Sequence, residues 1–536
     1  MTHGIISAAQ PEAAEAGADI LASGGNAVDA AVAAALVQTA VDPQMCGIAG
    51  FGCMHIYMPS RNAHVCLDFH GRAPLAARPD MWADRVIGEA EDGYGFILEG
   101  RVNEVGYGAI TSPMTLRALD HALQAYGTMQ LQSLLAPAIA YCEDGFMVRP
   151  HVVTYWSQTA NHGRIAHEQF LRQHPATAAI YIKPDGRLHR VGETLRNPDM
   201  GRTYRRIAEH GVEEFYSGAI AREIVADMSE NGGMLRADDL AQVAVETNPP
   251  LRGTYRGLEI TTNQPPGGGL LIVQMLNILE NFDLQAMGHN SPDYIATVAE
   301  AMKIATVDKD RYIGDPRFVE VPVARLASKA YAAECAERIR RGEKQHVPRF
   351  NPGAPESKNT THVNVADEHG TCVTVTHTLG QPSGIVTKGL GFMYNGAMAQ
   401  FDPRPGRATS IAPGKSRFSA LCPTIVFKEG KPFFVVGAPG NTYITMGVVQ
   451  AILNAVDFGM NAQEAVSAPR FCATSDVIEI SNRITRRAER ELAARGYPMR
   501  RYPFGYHFSG VHALRLVGDA YDGGADPGRD GMAMSV

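Results

Sequence analysis

Residues 360–379 read TTHVNVADEHGTCVTVTHTL. Thr360 to Val365 and Thr371 to Leu379 are runs rich in Thr and Val, whose branched side chains suit a pleated strand. Ala366-Asp367-Glu368-His369-Gly370 between them carries the turn residues of a hairpin. Immediately upstream, from about Arg341 to Asn359, the chain turns polar and rich in Pro, Gly and Lys (RGEKQHVPRFNPGAPESKN), which predicts a long exposed linker. The junction is abrupt: Ser357-Lys358-Asn359, then Thr360 at the head of a strand. If the Asn359–Thr360 bond were cut, Thr360 would carry a hydroxyl and an α-amine, reference pKa about 8, able to take that hydroxyl's proton. On pattern alone, an uncut hairpin after an ordinary linker accounts for the same residues.

Outward from the hairpin, strands are expected at Thr424 to Lys428 and Pro432 to Val436, joined through a Gly-containing turn. Near the start, Ala13 to Ala22 has helical apolar spacing and stops at Gly24-Gly25. Asn26 is placed to cap the next helix, Ala27 to about Val41, which is apolar on every side and should be buried. Strands are expected within Gly47 to Met58 and Ala63 to Phe69, about the turn Pro59-Ser60-Arg61-Asn62. The middle of the chain is helical in pattern, most clearly at Met114 to Tyr126, Leu131 to Asp144 and Ser217 to Asn231. Leu258 to Thr262 reads as a strand running into Pro265-Pro266-Gly267-Gly268-Gly269 and a helix from Leu270 to about Leu279. With neither a GK[ST] ending nor a GxGxxG spacing, that glycine run is a structural turn rather than a phosphate cradle.

The 536 residues are 45% hydrophobic and 20% charged with a net charge of −7, a globular composition without the basic footprint of a nucleic-acid binder. A small molecule is the expected partner, with no nucleic acid and no membrane, since no apolar run approaches the ~18 residues of a span. Met1-Thr2-His3-Gly4 does not open a secretory signal, so a cytoplasmic location is expected. Eight cysteines without a CxxC pair read as buried thiols. The 18 histidines form no HExxH or HxH, and there is no GxSxG elbow; no metal and no other cofactor is expected.

Several blocks occur in one order along the chain: Gly24-Gly25-Asn26-Ala27-Val28-Asp29-Ala30-Ala31, Gln274 to Asp283 (QMLNILENFD), Asp308 to Pro316 (DKDRYIGDP), Thr360 to Leu379, Cys422 to Ile425 (CPTI), Gly437 to Asn441 (GAPGN), and Gly524 to Gly531 (GADPGRDG). Together they strongly resemble the γ-glutamyltransferase family of N-terminal-nucleophile hydrolases. The resemblance implies an α+β fold, a four-layer αββα sandwich of two stacked, mainly antiparallel sheets flanked by helices. It also implies a precursor that cuts itself between Asn359 and Thr360 into a large chain, 1–359, and a small chain, 360–536. These would form an αβ heterodimer, with (αβ)2 as the larger alternative. Thr360 would then attack an amide carbonyl and pass the acyl group to water or an amine. Thr378 would orient Thr360, and the main-chain N–H groups of Gly440 and Asn441 would receive the oxyanion. Asn441 stands where the family has a second glycine, at little cost if only its N–H is used.

The departures bear on substrate. Where the family binds the substrate's α-carboxylate with an Arg in an LDFR-type motif, this chain has Leu67-Asp68-Phe69-His70, and an imidazole replaces a permanently charged bidentate fork. Arg72 lies two positions on, about 6 to 7 Å along an extended strand, far for the same contact. The family's acidic residue for the α-ammonium aligns with Gln400, and its serine pair with Ser419-Ala420. The family's Asn after the T-x-T segment falls at Gly380, in a shorter loop. A pocket bounded by His70, Arg72, Gln400, Ser419 and Ala420 should therefore not select an α-amino-acid zwitterion. The leading expectation is a cofactor-free hydrolase of a small non-glutamyl amide, of oxamate or acylase type. A conventional γ-glutamyltransferase or glutathione hydrolase is the alternative, and an unprocessed, non-catalytic binding protein a third.

Overall fold

The computed structural model describes residues 3–89, 95–159, 165–348, 360–503, 507–518 and 520–536. Residues 349–359, which hold most of the expected linker and Asn359 of the expected scissile bond, lie outside them. In chain order, the strands that build two sheets are β1 (Gly4–Ala8), β2 (Phe51–Met58), β3 (Ala63–Phe69), β4 (Glu246–Asn248), β5 (Leu251–Tyr255), β6 (Leu258–Thr262), β7 (Thr361–Asp367), β8 (Cys372–Thr378), β9 (Thr424–Lys428), β10 (Lys431–Gly437), β11 (His512–Val517), β12 (Ala520–Ala525) and β13 (Met532–Ser535). The first sheet has the order β13-β1-β7-β8-β2-β3-β4 and the second β12-β11-β10-β9-β6-β5. Neighbours in both are antiparallel.

Five helices cover the sheets: α1 (Pro11–Ala22), α2 (Ala27–Val41), α3 (Gly269–Leu279), α4 (Pro292–Tyr312) and α5 (Tyr443–Val456). The Asn26 side chain accepts from the N–H groups of Val28 and Asp29 while Asp29 accepts from the Asn26 N–H, a reciprocal cap that starts α2 where the sequence places it. All 15 residues of α2 are buried, as its mainly Ala/Val/Leu surface requires. Along β7, Val363 and Val365 point to the helices and share a core with Val32 and Leu36 of α2 and with Met54, Ile56 and Leu67. On the far side, Ile260, Val426, Phe434 and Val436 of the second sheet pack under α3 and α5. The four layers are thus helix, sheet, sheet, helix, the αββα sandwich. No helix among the described residues is long and apolar enough to cross a membrane.

Of the residues of β7 that alternate with the valines and face the second sheet, His362 and Asn364 are polar, while Ala366 packs on Ile425 and Val435. The His362 ring lies so close to Gly437 that a Cβ there would sit 2.1 Å from it. Its Nδ1 is 2.8 Å from Thr376 Oγ1 and its Nε2 is 2.9 Å from Asn364 Oδ1, and Asn364 Nδ2 donates to the His512 carbonyl at 2.9 Å. His55 makes a similar tie to the Pro423 carbonyl, 3.3 Å away. On the helix side of the same sheet, His377 Nε2 meets Gln38 Oε1 at 2.9 Å. Burial holds His55, His362, His377 and His512 uncharged, each pushed down to about 3.

Both sheets combine strands from before and after position 359, and in the first the two sets interleave. A further tie crosses that boundary: His151 Nδ1 is 2.7 Å from Asp530 Oδ2, and its Nε2 is 3.4 Å from Asp42 Oδ2. Burial opposes charge on this imidazole, but the two carboxylates prevail and raise it to about 9. All eight cysteines are buried and none is in a disulfide.

Candidate active site

The register of the first sheet draws four residues into one row. Thr361 pairs with His377 and Thr378 with Phe51, while Gly52 pairs with Phe69. One step further along each ladder, Thr360 falls opposite Thr378 and His70 opposite Phe51. Directly opposed residues share a face, here the face toward the second sheet. At one end of the row Thr360 Oγ1 donates to Thr378 Oγ1 at 2.9 Å, and the Gly380 N–H donates to the same Thr378 oxygen at 2.8 Å. With its lone pairs engaged in this way, Thr378 keeps its own hydrogen to give to an oxygen that becomes negative. Thr360 is 3% exposed and has φ of 106°, a region that a β-branched residue enters only under strain, on the order of 1–3 kcal/mol.

Beneath this end, on the helix side, Thr361 Oγ1 donates to Gln10 Oε1 at 3.2 Å and Gln38 Nε2 donates to Gln10 Oε1 at 2.8 Å. The network ties the head of β7 to α1 and α2, so the position of Thr360 is set by long-range side chains as well as by the ladder.

Gly440 and Asn441 follow β10 and precede α5. Their carbonyls accept from the N–H groups of Tyr443 and Ile444, so the pair sits at the positive end of a 14-residue helix, where main-chain N–H groups favour an anion. Gly440 has φ of 133°, and a Cβ there would lie 2.8 Å from Ser509 Cα; only glycine fits. Asn441 has φ of 53°, the left-handed conformation that asparagine tolerates better than other side chains.

Of the residues expected around the substrate, Gln400 comes close: its Oε1 would be 3.4 Å from a Cβ on Gly380. Gln400 and Thr442 line one cavity of about 460 Å3 with Lys309, Asp310, Asp402, Arg404, Arg417 and Phe418. Ser419 and Ala420 are buried against the Pro265–Gly269 turn: the Ser419 N–H donates to the Pro266 carbonyl at 2.9 Å, and a Cβ on Gly268 would meet the Ala420 carbonyl at 2.6 Å. That glycine-rich turn is structural, and it backs the Ser419 segment. His70 Nδ1 is 2.7 Å from Asp68 Oδ1, and its buried Nε2 has no hydrogen-bond partner among the described residues. Arg72 is elsewhere. Its Nη2 donates to Glu246 at 2.7 Å, and it lines a different cavity with Asp315, Arg317 and Gln264, so it is not brought to the wall that Gln400 forms.

Phe51, Asp68, Gln10, Gln38 and Arg417 were not singled out by sequence reasoning. Asp68 could have been, because a carboxylate two residues before a histidine on a strand shares its face. The others acquire their place only through pairing across many residues of chain.

A strand-head threonine beside a second hydroxyl, between two antiparallel sheets enclosed by helices, defines an N-terminal-nucleophile hydrolase, an enzyme that cleaves C–N amide bonds. The chain belongs to the gamma-glutamyltranspeptidase family, which it matches over residues 13–536. It is 38% identical over 507 residues to the acylase ACY 1 proenzyme of Pseudomonas sp. (strain V22), covering 94% of this chain and 88% of that one. It is 36% identical over 489 residues to the glutathione hydrolase proenzyme of Escherichia coli (strain K12), covering 88% and 80%. Among solved structures, cephalosporin acylase from Bacillus halodurans superposes with a TM-score of 0.88 at 28% identity over 99% of this chain and 96% of that one.

Proposed function

We propose that the chain cuts itself between Asn359 and Thr360 and that Thr360 then hydrolyses a small non-glutamyl amide through an acyl-enzyme. The observation that carries this is Thr360 itself, strained at φ of 106° with its hydroxyl 2.9 Å from that of Thr378. Scission of the preceding bond abolishes that torsion and releases its strain, while creating the α-amine that serves as base. In turnover the amine takes the Thr360 hydroxyl proton as Oγ1 attacks the carbonyl, and the oxyanion meets the N–H groups of Gly440 and Asn441. The resulting ammonium protonates the leaving amine. Water then attacks the ester by the same route, and the proton returns to Thr360. The products of processing, 1–359 and 360–536, remain together as an αβ unit.

Thr378 assists both reactions without being consumed. Thr378→Ala is expected to slow processing and turnover about 10- to 100-fold, the loss of one hydrogen bond to a charged oxygen, with little change in thermal midpoint. A variant with the wild-type rate would remove Thr378 from the mechanism.

Specificity separates this reading from a glutathione hydrolase. His70 and Gln400 stand in place of both charges that hold a glutamyl zwitterion, each worth about 1.5–3 kcal/mol. The relatives named as acylases support a different acyl group. Wild-type kcat/KM for γ-glutamyl-p-nitroanilide is expected to fall at least about 100-fold below that for the best simple acyl anilide or oxamate, and His70→Arg to narrow the gap. Efficient γ-glutamyl turnover by the wild type would return the protein to the glutathione-hydrolase reading. Two unequal bands on a denaturing gel, with product formation from any of these amides, would dispose of a non-catalytic binding protein.

A further inference from the structure

We propose that Asp42 is a positioning residue for both reactions of Thr360, acting through Gln10 and Thr361 from the face of the first sheet opposite the substrate cavity. The proposal rests on the amidohydrolase reading and concerns what holds that same nucleophile in place. Thr360 faces the second sheet, so Thr361 faces the helices. Behind it a chain of polar side chains is sunk in the apolar core of α1 and α2: Gln10, Gln38, Asp42 and Thr361 are each no more than 2% exposed. Gln10 stands just before α1 and Asp42 just after α2. Gln10 Nε2 donates to Asp42 Oδ2, and Gln10 Oε1 accepts from the Thr361 hydroxyl at 3.2 Å and from Gln38 Nε2 at 2.8 Å. Gln38 Nε2 also donates to the His362 carbonyl at 3.2 Å, while Gln38 Oε1 faces His377 Nε2 at 2.9 Å.

The direction of these bonds is fixed from the two ends of the chain. A carboxylate and a main-chain carbonyl only accept, so the Gln10 amide turns its NH2 to Asp42 and the Gln38 amide turns its NH2 to the His362 carbonyl. Gln10 is then left with its oxygen toward Thr361, whose hydroxyl has to donate to it. With a group at position 42 that can both donate and accept, the Gln10 amide could turn over. Its NH2 would then oppose that of Gln38, and Thr361 would lose its acceptor. Asp42 thereby sets the hydroxyl of the residue that follows the nucleophile and steadies the Thr360 main chain at φ of 106°. Behind Asp42, His151 Nε2 lies 3.4 Å from the same Oδ2, and the Arg529 guanidinium is drawn to the same carboxylate. Asp530, 2.7 Å from His151 Nδ1 on the other side, completes the group. A buried charge cluster of this kind is a weak source of stability, because desolvation consumes most of its attraction, but it can select one arrangement among near-equal ones.

The test exchanges the two groups. Asp42→Asn removes the charge, and Gln10→Glu sets two carboxylates against each other. Each single variant is expected to slow self-cleavage and kcat about 10- to 100-fold, with KM unchanged because neither side chain meets the substrate. The double variant Gln10→Glu/Asp42→Asn restores the net charge: a carboxylate at position 10 accepts from Thr361, from Gln38 and from the amide at position 42. Both rates should then recover to within a few-fold of the wild type. A merely structural network would lower the thermal midpoint and leave kcat, measured well below it, unmoved. Wild-type rates in Asp42→Asn, or a double variant no faster than the better of the two singles, would overturn the proposal. If the variants at position 42 fail to fold, judged by thermal midpoint, the other end of the chain decides. Thr361→Val removes the hydroxyl and should be slowed by the same factor, whereas Thr361→Ser keeps it and should lose less; equal rates in the two would count against the proposal. A wild type never cut before Thr360 would remove the amidohydrolase reading and the proposal together. A wild type that is cut there and turns over, with rates indifferent to positions 10 and 42, would remove the proposal alone.

Discussion

Thr360→Ala is expected to yield one uncut, inactive chain. The substitution removes the hydroxyl needed for the attack that would break the Asn359–Thr360 bond, and without that break the α-amine never forms, so one change eliminates nucleophile and base together. The expected loss of turnover is roughly ten-thousandfold or more, the scale seen when a covalent nucleophile is deleted. The fold should persist, because Thr361 keeps its tie to Gln10 and β7 keeps its ladder. Thr360→Ser should process and turn over at reduced rates, separating loss of the hydroxyl from loss of the methyl group. N-terminal sequencing of the smaller wild-type fragment provides the sharpest check. A start anywhere but Thr360 would assign the wrong nucleophile.

The second large effect is on stability in mild acid. His55, His362, His377 and His512 are buried and held neutral down to about pH 3, whereas each accepts a proton near 6.5 once the chain unfolds. Below pH 6.5 the unfolded state therefore binds more protons than the folded one, and stability falls as pH falls. The cost is roughly 2 kcal/mol per histidine between pH 6.5 and 5, enough for the four together to rival the ordinary net stability of a protein. The environment works in the same direction: His64 and Arg252 stand by His55, and Arg529 and Arg470 by His512. A thermal midpoint that drops steeply from pH 7 to pH 5 is expected. His512→Gln, which removes one of the four, should make the drop shallower. A flat profile over that range would show that these imidazoles gain protons without loss of the fold.

The elements that could be read from the sequence are those whose evidence is local. The β7–β8 hairpin shows in its Thr/Val runs about Ala366–Gly370. Buried α2 shows in its mainly Ala/Val/Leu composition and the Asn26 cap, and the Pro265–Gly269 turn in what it lacks. Pairing Thr360 with Thr378 rests on the family resemblance, not on a local pattern; the register that opposes them appears only in the structure. What could not be read depends on ladders between distant strands. Phe51 joins the row of Thr360 and Thr378 only because β2 lies beside β8, more than 300 residues away in sequence. The GADPGRDG block was legible as a block, but its role depends on a partner: Asp530 is held by His151, which nothing in either local sequence announces.

The interleaving of the sheets has a consequence for the life history of the molecule. In the first sheet, β7 and β8 lie between β1 on one side and β2 on the other, so the segments before and after the junction are woven rather than apposed. With the covalent link severed as proposed, neither piece would own a complete sheet, and dilution alone would offer no route by which they could part. They would separate only by unravelling, and rejoining would then be a meeting of two molecules instead of the collapse of one. Under the proposed processing, folding would come first, as an intramolecular event, and scission afterwards would make it close to unrepeatable. The durability of such a protein is set by how slowly it opens, not by how favourably it closes.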